Sequence, residues 1–163
     1  MRLTHQNEKG QASMVDISAK EPSYRTATAK ACLHMKSETL ALLFEGKLPK
    51  GDALGVARVA GIMAAKKTAD LIPLCHPLAT DSVEISFDHD NKGKLYIYAT
   101  ASCFGKTGVE MEAMTAATVA ALTLYDMCKG VEKGIVIKDI YLLEKTGGKS
   151  GDYRAESGGD GER

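Results

Sequence analysis

The side chains able to do chemistry are concentrated in four short stretches of an otherwise small and apolar sequence. They combine lysines, carboxylates and one histidine, and they are Lys50-Gly51-Asp52, residues 71–77, residues 105–112 and residues 125–129. Carboxylates and lysines that share a pocket can move protons, and lysine charge attracts phosphate groups. The pattern predicts an enzyme that acts on a polyanionic small molecule.

His76 lies in the second stretch, directly after Cys75 and between Pro73 and Pro77. A single histidine is more often a structural hydrogen-bonding group than a catalyst. The two prolines restrict the backbone, which favours a positioned donor, acid or base at His76. Cys75 can equally be a small buried residue.

Glu110 and Glu112 are two residues apart, so they face opposite sides of a helix but the same side of a strand. If both face a ligand, we expect an extended segment here. If they lie in the first turn of a helix, its dipole stabilises them instead.

Asp126 and Lys129 are three residues apart near the predicted end of a helix, where a solvated ion pair is the default interpretation. Their apolar neighbours favour partial burial instead, which would lower the pKa of the lysine into a catalytic range.

Glu112 and Asp126 are 14 residues apart, or about 21 Å on one continuous helix at ~1.5 Å per residue. One pocket can hold both only across a subunit interface, for example with an antiparallel neighbour related by a two-fold axis.

Composition excludes several classes of function. Lysine plus arginine and aspartate plus glutamate both number 21, and only 6% of residues are aromatic, so no nucleic-acid partner is predicted. No run of about 18 apolar residues exists to span a membrane. The polar start of the chain lacks the apolar centre of a signal peptide, and no CxxC or HxxxH pair indicates a metal site. We expect a cytoplasmic protein with reduced thiols and no metal ligands.

Two glycine loops carry lysines, at Gly105-Lys106-Thr107 and Gly148-Lys149-Ser150. Neither is a P-loop, because Thr100 and Leu143 stand where that motif requires a further glycine. Such loops can still surround a phosphate group.

The periodicity of apolar residues predicts an α+β domain in which helices cover one face of an antiparallel sheet. Strands are predicted at residues 25–35 and 135–143, and a hairpin at 83–101 with its turn at 91–93. Helices are predicted from the N-cap Ser37 to near Gly46, from the N-cap Asp52 over 53–67, and over 112–128. In the second helix, Val56, Val59 or Ala60, and Met63 are predicted to face inward. The many small residues in the helices allow close packing, either within one subunit or against a second copy. Residues 1–152 are predicted to form a single catalytic domain, and residues 153–163 a disordered tail.

These stretches together closely resemble the MoaC family of molybdenum cofactor biosynthesis. The resemblance is nearly full length, and Met114, where leucine is usual, is a mild departure. It includes Leu3-Thr4-His5, Met14-Val15-Asp16-Ile17-Ser18, Lys50-Gly51-Asp52 and residues 71–77, 105–112, 125–129 and 145–152. It implies a ferredoxin-like fold assembled as a homohexamer, a trimer of dimers, with sites between subunits.

The resemblance also implies a lyase reaction, in which a cyclised dihydroguanosine triphosphate becomes cyclic pyranopterin monophosphate and diphosphate leaves. It makes Asp126 the active-site residue and implicates Lys50, Lys129 and Lys145. It further implies substrate contacts at Leu74, Cys75, His76, Met111 and Glu112.

The chemistry of the residues agrees with this implied reaction. Opening and rebuilding a purine-derived ring needs acids and bases, for which Asp126, Lys129, Glu110 and Glu112 are suited. The leaving diphosphate calls for cations such as Lys50 and Lys145. No cofactor is predicted to be required; Mg²⁺ is compatible with the triphosphate, although no carboxylate cage for it is visible. The alternative is a non-catalytic nucleotide-binding regulator, which would need the lysines but not an acid–base pair.

Overall fold

The computed structural model describes residues 5–156 and contains five strands and four helices in that part of the chain. In chain order they are β1 (Ser23–His34), α1 (Ser37–Phe44), α2 (Ala53–Ala65), α3 (Thr68–Leu71), β2 (Ser82–His89), β3 (Lys94–Gly105), α4 (Glu110–Cys128), β4 (Val136–Thr146) and β5 (Tyr153–Arg154). The strands form one antiparallel sheet in the order β2-β3-β1-β4-β5. The predicted α+β class is confirmed, and the arrangement is consistent with a ferredoxin-like fold.

The two faces of the sheet differ in composition because side chains alternate along each strand. In β1, Ala27, Ala29 and Leu33 are fully buried beneath α4. On the opposite face of the sheet, the ammonium group of Lys30 lies 4.5 Å from the centre of the Tyr96 ring. Helices therefore cover one face, as the sequence predicts.

The predicted hairpin is confirmed, and its turn follows from local hydrogen bonding. The Asp90 carboxylate accepts hydrogen bonds from the backbone N–H groups of Lys92, Gly93 and Lys94. Asn91 and Gly93 adopt positive φ angles of 59° and 127°, a conformation that asparagine and glycine tolerate best.

The inward face predicted for α2 is wrong. Val56, Val59 and Met63 are exposed, whereas the buried residues of α2 are Ala53, Ala57, Gly61, Ala64 and Ala65. The reason is the close approach of α4: a Cβ atom on Gly61 would lie 2.9 Å from the carbonyl oxygen of Ala116 and would overlap the Ile85 side chain. Only small residues fit between the helices, so these small residues pack within one subunit.

The helix boundaries also differ from the prediction. Asp52 does cap α2, accepting a hydrogen bond from Gly55 N–H at 2.9 Å. Ser37 is not a cap; it is the first residue of α1 and follows the N-cap Lys36. Helix α4 begins at Glu110, two residues earlier than predicted, so both Glu110 and Glu112 lie in its first turn.

The predicted tail begins too early. Tyr153 and Arg154 pair with β4, and Ala155 N–H donates to the carbonyl oxygen of Leu143 at 2.7 Å. The rest of the predicted tail, residues 157–163, lies outside the described residues. Among residues 5–156, no helix is long and apolar enough to cross a membrane.

Candidate active site

A cavity of about 500 Å³ opens at the N-terminal end of α4, a volume in the range of small-molecule sites. Its wall includes six residues that the sequence analysis predicted to bind substrate: Leu74, Cys75, His76, Glu110, Met111 and Glu112. The rest of the wall is His5, Val15, Ile17, Lys20, Leu78, Thr107 and Gly108. The N-terminal segment is therefore part of the site.

His76 is half-buried, and it holds the N-terminal segment around Val15 against the cavity by a hydrogen bond. Its Nε2 atom lies 2.7 Å from the carbonyl oxygen of Val15. A carbonyl oxygen only accepts hydrogen bonds, so Nε2 carries the proton in this contact and Nδ1 remains as the second ring nitrogen. His76 is thus both a wall residue and a structural donor, so the two interpretations of this histidine are compatible.

The two glutamates reach the same cavity from a helix, so the extended segment expected for a shared ligand is wrong. The cavity surrounds the first turn of α4, which brings both Glu110 and Glu112 into its wall. The Glu110 carboxylate pairs with Lys145 at 2.8 Å. It also lies against Gly108, where a Cβ atom would overlap it. This glycine makes room for the carboxylate.

Glu112 is 4% exposed. Burial raises its pKa, and the neighbouring charge of Glu110 raises it further. Burial also raises the pKa of the Cys75 thiol, with a smaller contribution from Glu112. A protonated thiol is a poor nucleophile, so Cys75 serves as a wall residue. Cys75, Cys103 and Cys128 carry free thiols in this structure.

The remaining predicted residues form a second cluster at the C-terminal end of α4. Lys129 Nζ lies 2.7 Å from Asp126 Oδ1, and Lys50 Nζ lies 2.8 Å from Asp126 Oδ2. Lys50 also donates to the carbonyl oxygen of Asp126 at 2.7 Å. These lysines hold one carboxylate from both sides and place positive charge at the end of the helix where the dipole favours it.

The hydrogen bond from Lys129, followed by that from Lys50, lowers the pKa of Asp126 to about 2. The same hydrogen bond raises the pKa of Lys129. The Asp126 side chain is 54% exposed, so the predicted burial of this pair is wrong, and so is the lowered lysine pKa. The cluster is a solvated ion-pair network in one subunit.

Helix α4 runs from one cluster to the other and sets the distance between them. It is continuous over 19 residues, which sets Glu112 and Asp126 about 21 Å apart at ~1.5 Å per residue. All ten predicted site residues therefore fall in two clusters, but one subunit does not unite them. Across residues 5–156, no group of three or more His, Cys, Asp or Glu residues could hold a metal ion.

Sequence reasoning missed the residues that position the cavity wall. Lys106 Nζ donates to the carbonyl oxygen of Ser18 at 2.7 Å, and Lys20 lines the cavity. Arg25 Nε donates to the carbonyl oxygen of Gly105 at 2.9 Å. Arg25 Nη2 donates to the carbonyl oxygen of Lys106 at 3.3 Å. The sequence signals for this arrangement were the glycine loop Gly105-Lys106-Thr107 and the resemblance at residues 14–18 and 105–112.

Comparison with known proteins agrees with the resemblance. The sequence model of the MoaC family matches residues 14–148. Cyclic pyranopterin monophosphate synthase of Listeria innocua is 57% identical over 155 residues, covering 95% of this chain and 97% of the relative. The synthase of Geobacter sulfurreducens is 57% identical, covering 97% of this chain and 99% of the relative. The synthase of Parvibaculum lavamentivorans is 58% identical, covering 95% of this chain and 98% of the relative. The chain belongs to the MoaC family.

Proposed function

We propose that this chain is a cyclic pyranopterin monophosphate synthase. In this proposal it converts a cyclised dihydroguanosine triphosphate into cyclic pyranopterin monophosphate and diphosphate, as a phosphorus–oxygen lyase of molybdenum cofactor biosynthesis. The observation that carries the proposal is the gathering of all ten predicted site residues at the two ends of α4. The names of relatives at 57–58% identity support it.

The two clusters suit opposite proton transfers. With a pKa of about 2, Asp126 is ionised at neutral pH, so it can accept a proton, but the lysines that lower this pKa also make it a weaker base than an ordinary carboxylate. The raised pKa of Glu112 suits it to hold and donate one. Asp126 raises the pKa of Lys129, which therefore serves as a cation and hydrogen-bond donor.

Closing the cyclic phosphate requires attack on the α-phosphorus and departure of diphosphate. The negative charge that develops on the leaving group is stabilised by nearby cations. Lys50 and Lys145 are proposed for this role, since each ends in an ammonium group held by a site carboxylate. Mg²⁺ on the triphosphate stays compatible with this scheme, but no step proposed here depends on it.

A homohexamer built as a trimer of dimers would unite the clusters. An antiparallel neighbour places the C-terminal end of its α4 beside the N-terminal end of the first, which creates two equivalent composite sites. The exposed apolar stripe of Val56, Val59 and Met63 on α2 supports burial against another copy. The cytoplasmic location and the lack of a nucleic-acid partner stay predictions.

Turnover of the cyclised triphosphate by the purified chain tests the function. We expect one diphosphate released for each pterin formed, with the pterin detected by fluorescence after oxidation. A chain that binds the triphosphate without releasing diphosphate would be a nucleotide-binding regulator instead.

A further inference from the structure

We infer that Lys20 binds a phosphate group of the substrate, and that the N-terminal segment is ordered against the cavity in order to place it there. This inference rests on the proposed function, because it assumes a phosphorylated substrate. This N-terminal segment comprises residues 15–20, which form no helix or strand. Its position therefore has to come from contacts made by other parts of the chain.

Two side chains from the cavity region supply these contacts. His76 donates from Nε2 to the carbonyl oxygen of Val15, and Lys106 donates from Nζ to that of Ser18, both at 2.7 Å. The end of the segment is a turn in which Lys20 N–H donates to the carbonyl oxygen of Ile17 at 3.1 Å. The chain is thus fixed immediately before Lys20, whose side chain lines the cavity.

The loop that holds the segment is itself anchored. Arg25 donates to the carbonyl oxygens of Gly105 and Lys106, which ties the loop after β3 to the start of β1. Arg25, Lys106 and His76 are accordingly positioning residues in this arrangement. His76 and Lys106 act on the segment through its backbone carbonyl oxygens, and Arg25 acts through the loop that carries Lys106.

Lys20 differs from the other lysines of the two clusters in its charge environment. Lys145 is paired with Glu110, while Lys50 and Lys129 share Asp126. Within residues 5–156, no carboxylate lies within 4.0 Å of the Lys20 ammonium group. An unpaired ammonium group in a cavity wall attracts anions, and phosphate oxygens are strong acceptors for it.

The carboxylates of the same cavity do not cancel this attraction. Lys145 neutralises Glu110, and Glu112 is buried. Asp16, on the same segment, turns its carboxylate to the backbone N–H of Ser18 at 2.8 Å. The open cavity therefore presents the ammonium group of Lys20 without a paired carboxylate.

Binding of inorganic diphosphate to the full chain tests the inference without requiring turnover. We compare wild type, Lys20→Ala, Lys20→Arg and Lys9→Ala by calorimetry at two salt concentrations. Lys9 is the matched control, because it is an exposed lysine of the N-terminal region outside the cavity wall. Lys20→Ala should raise Kd roughly ten-fold and reduce its salt dependence, as expected for one lost charge contact. Lys20→Arg should stay within about three-fold of wild type, and Lys9→Ala should be unchanged.

In turnover, Lys20→Ala should raise KM by a similar factor and leave kcat nearly unchanged, since phosphate binding is uniform across the reaction. Diphosphate affinity equal in Lys20→Ala and Lys9→Ala would overturn the inference, whether or not the chain is a synthase. A loss of diphosphate affinity in Lys20→Ala, together with no turnover by wild type, would support the phosphate contact and contradict the proposed function.

Discussion

The two ends of α4 carry the same kinds of side chain in opposite environments. At the N-terminal end, Glu112 is buried in the cavity wall, and burial raises its pKa. At the C-terminal end, Asp126 is half exposed between two lysines that lower its pKa to about 2. Environment moves the two pKa values further apart than the ordinary glutamate and aspartate values of 4.5 and 3.8. Under the proposed function, such a separation suits Glu112 as the acid and Asp126 as the base. Each end by itself offers only half of that pair.

The largest effect should come from removing the base. Asp126→Asn keeps the shape of the side chain and deletes its charge, so we expect kcat to fall about 10²–10⁴-fold while the fold persists. Asp70→Asn is the matched control, because Asp70 forms an exposed pair with Lys67 at 3.5 Å, three residues apart, and belongs to neither cluster. Turnover by Asp126→Asn within three-fold of wild type would reduce Asp126 to a helix-end carboxylate.

A smaller effect is expected from the lysine at each end. Lys50→Ala and Lys145→Ala each remove one charged contact to the triphosphate, so KM should rise roughly 10–100-fold and its salt dependence should flatten. Lys47→Ala, which removes an exposed lysine paired with Glu45, should change neither. If only one of the two site lysines affects KM, the two ends of α4 do not share a substrate.

The smallest effect concerns stability. Because the pKa of Glu112 is higher in the folded chain than in the unfolded chain, ionisation of Glu112 disfavours folding as pH rises. Glu112→Gln removes this cost, so its Tm should exceed that of wild type by on the order of a few degrees above the folded-state pKa. The gain should shrink as pH falls through that pKa and vanish below the unfolded value near 4.5. A Tm difference between Glu112→Gln and wild type that stays the same at every pH would contradict the raised pKa of Glu112.

The sheet and the longest helix could be predicted because their signals are local. Alternation along β2 and β3, and the hydrogen bonds of the Asp90 side chain in the turn, involve neighbouring residues. The buried face of α2 could not be predicted by the same reasoning, because apolar periodicity favoured Val56 and Met63. Contact with α4 admits only small residues such as Ala57 and Gly61.

The candidate site divides in the same way. The family resemblance, which depends on short motifs, predicted nine of the ten cluster residues, and the chemistry of the residues added Glu110. The wall formed by Val15 and Lys20 depends on hydrogen bonds to residues about 60 and 90 positions away, such as His76 and Lys106, and no local pattern encodes them. Nor could the sequence decide the exposure of Asp126, because the second lysine that holds it, Lys50, comes from a distant loop.

Subunit mixing tests most directly whether the two ends of α4 form one composite site. Inactive Glu112→Gln and inactive Asp126→Asn proteins are dissociated, mixed and reassembled, with labelled subunits to prove exchange. In a hybrid dimer, one composite site carries both substitutions and the other carries neither. Because random pairing makes half of the dimers hybrids, activity should recover to about a quarter of the wild-type rate per total site. A mixture that exchanges subunits yet stays as inactive as its parents would contradict a site shared between two chains.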